Sequence, residues 1–143
     1  MEVKIAKSSE EIDICYKLRE TIFIKEQNVP VNRERDNDDN FAIHFLLFSG
    51  RTPVGVGRVV ADKDVAIIGR LGILDEYRGK GAGFFLMGHI INYCKKNKFQ
   101  KIILGAQEHA LGFYKKLNFE VYSEKYMDAN IPHFKMQLTF NRK

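Results

Sequence analysis

Arg78-Gly79-Lys80-Gly81-Ala82-Gly83 stands between an apolar run and an amphipathic one, an order suited to gripping a pyrophosphate through the main chain. Alternate glycines let the backbone turn tightly enough for several amide N–H groups to converge on phosphate oxygens. The helix that follows brings its positive end to the same place. Arg78 and Lys80 add mobile cations. A surface turn that merely holds convenient glycines remains an open reading of these six residues. Two other nucleotide patterns fit poorly. A Walker A loop ends in Gly-Lys-Ser/Thr, and here Gly81 follows Lys80. The dinucleotide fingerprint is Gly-x-Gly-x-x-Gly, whereas this run reads Gly-x-Gly-x-Gly-Phe; Glu108 could imitate its ribose-binding acid, but a long segment of different character comes first.

The flanking elements are legible from periodicity. Ala66 to Leu74 reads as a buried strand, and Phe84, Met87, Ile90, Ile91 and Cys94 recur at helical spacing. Lys95, Lys96, Asn97 and Lys98 end that helix, with cations at its negative pole and Asn97 suited to the left-handed conformation. Val3 to Ala6 alternates as a first strand. Ser8 and Glu11 spell a capping box for a helix reaching about Lys25 through Ile12, Cys15, Leu18 and Ile22. Asn32 to Asn40, dense in charge and Asn, reads as a mobile loop. Ala42 to Phe48, Val54 to Ala61 and Val65 to Leu74 form a meander, turning at Gly50-Arg51-Thr52-Pro53 and Asp62-Lys63-Asp64. Lys101 to Ala106 is a strand, Ala110 to Leu117 a helix, and Phe119 to Tyr122 pairs with Phe134 to Phe140 through a loop around Asp128 to Pro132. The class is α+β, a mixed and mostly antiparallel sheet flanked by helices.

Composition narrows the function. A length of 143 residues with 45% hydrophobic content predicts one domain over residues 1–143. No run approaches the ~18 apolar residues of a membrane span, and Met1-Glu2-Val3-Lys4 leads into a strand rather than a signal peptide, so the expectation is a cytoplasmic protein with no membrane partner. Cys15 and Cys94 fall on predicted buried helix faces, and His44, His89, His109 and His133 lack the close pairing of a zinc motif, so neither a disulfide nor a metal is implied. The net charge of +5 is scattered, without aromatic interleaving, which argues against nucleic acid and suits capture of an anionic cofactor.

Ile73 to Gly83 resembles the acetyl-CoA signature of the GCN5-related N-acetyltransferase (GNAT) superfamily, Arg/Gln-x-x-Gly-x-Gly/Ala, with Arg78, Gly81 and Gly83 in the defining positions. Phe113-Tyr114-Lys115-Lys116-Leu117-Asn118-Phe119 resembles the later Phe-Tyr-x-x-x-Gly-Phe segment, with Asn118 where glycine is usual; Asn tolerates the same left-handed cap. Phe23-Ile24-Lys25-Glu26-Gln27-Asn28-Val29-Pro30, Leu104-Gly105-Ala106-Gln107 and Asn130-Ile131-Pro132-His133 are similar to segments of a small bacterial single-domain subgroup, in which the last is more often Gly-Ile-Pro-His.

The resemblance implies the GNAT fold, a sheet of about seven strands with about four helices. It also implies an acetyltransferase that moves an acetyl group from acetyl-CoA directly to a primary amine. The chain from Arg78 through Gly79, Lys80, Gly81 and Ala82 to Gly83 would hold the pyrophosphate. The main chain at Leu71 and Ile73 would pair with the pantetheine arm, an N–H near Ile73 would polarise the carbonyl where two central strands part, and Gln107 would touch pantetheine. Tyr114 would protonate the departing thiolate. Holding an alkyl amine of pKa about 10.4 as free base at pH 7 costs about 4 to 5 kcal/mol, so a base or a dry pocket is needed. Glu26, His133, His109 and His44 are the candidates; His133 could also close the site, and His109 could cap the helix of Tyr114. Arg70, a charge midway along a buried strand, could select a carboxylate-bearing acceptor or pair with a neighbouring acid. The acceptor is expected to be a small amine, and a homodimer is common in the family. A non-catalytic acyl-CoA sensor is the alternative, with a dinucleotide-binding domain behind it.

Overall fold

A computed structural model describes residues 1–140. Strand β1 (Glu2–Ile5) leads to α1 (Ser9–Arg19), which continues without a break as a π-helix over Glu20–Glu26. Short α2 (Val31–Glu34) precedes the meander β2 (Ile43–Ser49), β3 (Thr52–Asp62) and β4 (Val65–Ile73), and the glycine-rich turn opens α3 (Ala82–Lys96). Then come β5 (Lys101–Gln107), α4 (Leu111–Lys116), β6 (Glu120–Val121), β7 (Tyr126–Asp128) and β8 (Ile131–Thr139). The eight strands form one sheet in the order β1-β2-β3-β4-β5-β8-β6, with β7 on the end of β8; only β4 and β5 run parallel.

The strand beyond the expected seven is β7. The segment expected to loop around Asp128 to Pro132 is instead a two-residue hairpin turn, with Ala129 at φ 50° and Asn130 at φ 62°, the paired left-handed conformation whose twist matches the strands it joins. Consequently β8 begins at Ile131 and its main partner is β5, while β6 contributes only Glu120 and Val121. The capping box of Ser8 and Glu11 forms as written, and Asn118 takes φ 71°. At the end of α3, however, Asn97 keeps φ −92° and donates its side-chain amide to the Tyr93 carbonyl, so Lys98 makes the left-handed turn at φ 64°.

Helices α3 and α4 cover one face of the sheet, where Ala66, Ile68, Leu86, Met87, Ile90, Ile102, Leu104, Ala106 and Met136 form the larger core. On the opposite face α1 and the π-helix bury Cys15, Leu18, Ile22 and Phe23 against Leu46 and Val56. Register in β4 changes partway: Arg58 opposes Gly69 but Val56 opposes Gly72, so Arg70 and Leu71 face one residue of β3. Arg70 sits in this bulge at φ 53°. The extra residue reverses the alternation, so Leu71 and Ile73 pack on the α3 side with Ala66 and Ile68, while Gly72 lies beneath Ile22 and Phe23.

Residues 31–40 are not the mobile loop their composition predicts. Arg19, 1% exposed, donates to Glu34 at 2.8 Å and to Asp39 at 2.7 Å, and Arg58 donates to Asp39 and Asp36, each at 2.7 Å. Arg70 binds the Glu34 carbonyl at 2.9 Å and the Asp36 carboxylate at 3.2 Å. His44 donates from Nε2 to the Asp39 carbonyl. Three guanidinium groups thus meet three carboxylates, and a stretch that reads as solvated by composition is pinned from below because each buried charge has its counter-ion. Burial alone would raise the Asp39 pKa, but hydrogen bonds from Arg19 and Arg58 override it and hold the carboxyl well below its ordinary range; Asp36 is lowered too, chiefly by Arg58.

The depressed carboxylates contribute stability that is complete above the ordinary Asp value of about 3.9 and lost as pH falls below it, so urea midpoints should decline steeply only below about pH 4. Asp39→Asn, which leaves three guanidinium groups with two carboxylates and so one buried positive charge uncompensated, should cost about 3–5 kcal/mol at pH 7 and flatten that acid limb. Ala129→Asn, which relieves a left-handed alanine in the hairpin turn, should raise stability by about 0.5–1 kcal/mol in the same titrations.

Candidate active site

The parallel pairing of β4 with β5 runs from Val65–Lys101 to Ile68–Leu104 and stops there. Beyond this point β4 follows β3 and the Arg70 bulge, β5 follows β8, and a cleft opens between them. Leu74 N bonds Val54 O at 2.8 Å, so Ile73, one residue earlier and opposite Gly55, is a non-hydrogen-bonded partner. Its N–H and C=O therefore point away from β3, toward the side β5 has left. The carbonyl accepts Arg78 Nε at 2.9 Å.

The glycine turn is built as its letters suggest, with one revision. Gly79 (φ 75°) and Gly81 (φ 81°) take left-handed conformations with nothing within 4 Å of a would-be Cβ, so the surface there is open. Gly83 is instead inside α3, and a Cβ on it would lie 3.0 Å from the Phe113 ring; this glycine makes room for α4 rather than for a bend. The first intrahelical bond of α3 is Phe85 N to Gly81 O, and Gly81 has no side chain to cap the helix. The amides of Ala82, Gly83 and Phe84 are therefore the unsatisfied donors of an N-terminus, which suits a phosphate. Lys80 is exposed beside them.

The candidate catalytic groups occupy three separate places. Tyr114 lies in the α3-side core, edge-on to Phe113 and Phe119 at 5.0 and 5.8 Å. Burial pushes its phenol up to about 12, and no hydrogen bond of its hydroxyl occurs among the described residues. His133 is on β8 directly opposite Gln107 of β5, on the other face of the sheet from Leu104 and Ala106. It is 8% exposed, and its Nδ1 lies 2.7 Å from the Ile131 carbonyl. A carbonyl only accepts, so in the neutral ring Nδ1 carries the proton and Nε2 keeps its lone pair. Glu26, the last residue of the π-helix, is in neither place; its carboxylate pairs with the Arg78 guanidinium, which also contacts Asp75.

Gln107 donates from Nε2 to Gln27 Oε1 at 2.8 Å, and its own Oε1 lies 2.6 Å from His109 Nε2. With the amide so oriented, His109 donates from Nε2 and does not cap α4, whose first turn has no side-chain cap. His44 belongs to the buried ion network, away from the cleft. Arg70 takes the paired reading: its guanidinium is engaged by Glu34, Asp36 and two backbone carbonyls, so the expectation that it selects a carboxylate-bearing acceptor is set aside. Gln27 and the ion network escaped sequence reasoning. The spacing Asp36-x-x-Asp39 is a capping box, realised in the turn Asn37–Asn40, and would have argued for an ordered segment. Gln27 stands in the segment Phe23 to Pro30 that resembles the subgroup, but its letters assign it no role.

A sheet that parts between two parallel central strands, with a glycine-rich helix N-terminus on one face, defines an acetyltransferase-type fold. The crystal structure of Escherichia coli ElaA superposes with a TM-score of 0.86 at 27% identity, covering 95% of this chain and 97% of that one. A Bacillus subtilis acetyltransferase solved in complex with CoA superposes with a TM-score of 0.72 at 16% identity, covering 98% and 99%. By sequence, the profile of the acetyltransferase (GNAT) domain matches residues 6–140, and the uncharacterized N-acetyltransferase YjcF of B. subtilis is 36% identical over 137 residues, 95% of this chain and 98% of that protein. The chain belongs to the GNAT acetyltransferase family.

The hydrogen-bond directions predict opposite neutral tautomers for the two cleft histidines. Long-range proton–nitrogen NMR of the neutral rings should find His133 protonated at Nδ1 and His109 at Nε2; the same tautomer in both would contradict this geometry.

Proposed function

We propose that this protein is an acetyl-CoA-dependent N-acetyltransferase that moves the acetyl group directly to a primary amine. The observation that carries this reading is the position of the β4–β5 cleft: it is the opening that joins the face holding Tyr114 to the face holding His133. A thioester lying in it would turn its sulfur toward one and its carbonyl carbon toward the other.

Each residue then has a task its surroundings favour. The amides opening α3, with Arg78 and Lys80, bind the pyrophosphate. The outward main chain of Ile73, with Leu71 beside it, pairs with the pantetheine arm, which displaces the Arg78 guanidinium from the Ile73 carbonyl. Gln107, fixed by Gln27 and His109, lines the far wall. His133 Nε2 takes a proton from the incoming ammonium so that the neutral amine attacks, and Tyr114 gives one to the departing thiolate. A phenol held near 12 is too weak an acid for a thiolate in water, but burial in the same α3-side core pushes the Cys94 thiol up to about 12 as well. A thiolate released beside Tyr114 meets an acid of matched strength. Glu26 acts by holding Arg78 at the cradle rather than as the base.

Calorimetry should show one CoA site per chain, and a thiol-release assay with mixed primary amines should show amine-dependent turnover. Tyr114→Phe should lower kcat about 10²-fold or more with CoA affinity unchanged. Tight CoA binding with no amine-dependent release favours the sensor instead, and unchanged kcat removes Tyr114 from the chemistry.

A further inference from the structure

The β7–β8 hairpin carries a tyrosine that no part of the family signature covers. Tyr126 is the register partner of His133, its ring centroid 5.7 Å from the imidazole at 30° between planes. Its hydroxyl stands over Gly105, the first β5 residue past the last β4–β5 pair. A Cβ built on Gly105 would lie 2.4 Å from the Tyr126 oxygen and 3.9 Å from His133 Cδ2, the ring carbon bonded to Nε2. The missing side chain of one glycine is thus the point on which a phenol oxygen and the lone-pair edge of His133 converge, at the mouth of the cleft. Gly105 has no positive φ, so close approach rather than backbone conformation is what its side chain would obstruct.

We propose that Tyr126 is an acceptor-binding residue, its hydroxyl taking a hydrogen bond from the incoming amine while its ring holds His133 edge-on to the same nitrogen. This rests on the transferase reading above. An ammonium brings three N–H donors into a site that must replace their water, and acceptors there are few. The amide oxygens of Gln27 and Gln107 already accept from Gln107 and His109. His133 Nε2 and the Tyr126 oxygen have no hydrogen bond among the described residues. Burial, then Asp128 and Tyr122, raises the Tyr126 pKa, so the group stays a neutral phenol. The strand bearing it is strapped at both ends, by Lys125–Glu108 at 2.9 Å and by Arg33–Asp128 at 3.6 Å, the second reaching α2.

The test compares the natural chain, Tyr126→Phe and Gly105→Ala in the thiol-release assay with n-butylamine, spermidine and glycinamide, alongside CoA calorimetry. Tyr126→Phe keeps the stacked ring and loses only the oxygen, so amine KM should rise about 3- to 10-fold while CoA affinity stays unchanged. Gly105→Ala, which displaces the hydroxyl with Tyr126 intact, should raise amine KM in the same way. A natural chain that turns over while Tyr126→Phe matches it in amine KM overturns this inference alone. A natural chain that binds CoA but releases no thiol with any of the three amines overturns the transfer reading and this inference together.

Discussion

The departure of β4 from β5 after Ile68 and Leu104 is the constraint on which the rest of the molecule depends. Two features drive it. The bulge at Arg70 adds a residue that bends β4 and twists it away, and the Arg70 guanidinium fastens that bend to the backbone of Glu34 and the carboxylate of Asp36. The segment over residues 31–40 is therefore clamped by the same arginine that marks the bend. A buried ion cluster of this kind is a poor source of net stability, since its desolvation offsets much of its Coulomb attraction. Its value here is positional: guanidinium forks fix directions that apolar packing would leave free. The cluster is also neutral, so the net charge of +5 resides outside it.

A parted sheet solves a chemical problem that a closed one cannot. In the transfer proposed for this protein, acid and base must serve the same acetyl group without exchanging a proton with each other. Tyr114, in the α3-side core, and His133, beneath the β7–β8 hairpin, are kept apart by the sheet itself and meet only across the cleft. Burial raises the Tyr114 phenol on one side of the sheet, and the polar chain of Gln27, Gln107 and His109 lies on the other. Arg78 is shared: it bonds the Ile73 carbonyl and pairs with Glu26 at the end of the π-helix, which ties β4 to that helix.

Much of this was legible in the residues themselves because it rests on local rules. The glycine turn, the Ser8 capping box, the left-handed Asn118 and the antiparallel meander follow from spacing and conformational preference. What stayed hidden depends on pairing across long separations. Asn32 to Asn40 reads as solvated because nothing local reveals that Arg19, Arg58 and Arg70 lie beneath it. Gly83 reads as a turn glycine because Phe113, which needs the space, is thirty residues away in sequence. The hairpin at Ala129 and Asn130 was obscured because alanine is a poor residue for such a turn, and with it went β7 and the position of Tyr126.

The most direct measurement is a crystal structure with CoA bound. The account predicts the pantetheine arm between β4 and β5, bonded to the main chain of Ile73, with the pyrophosphate on the amides that open α3 and Arg78 released from the Ile73 carbonyl. CoA seated elsewhere, with the bond from Arg78 to Ile73 intact and the cleft unused, would contradict it.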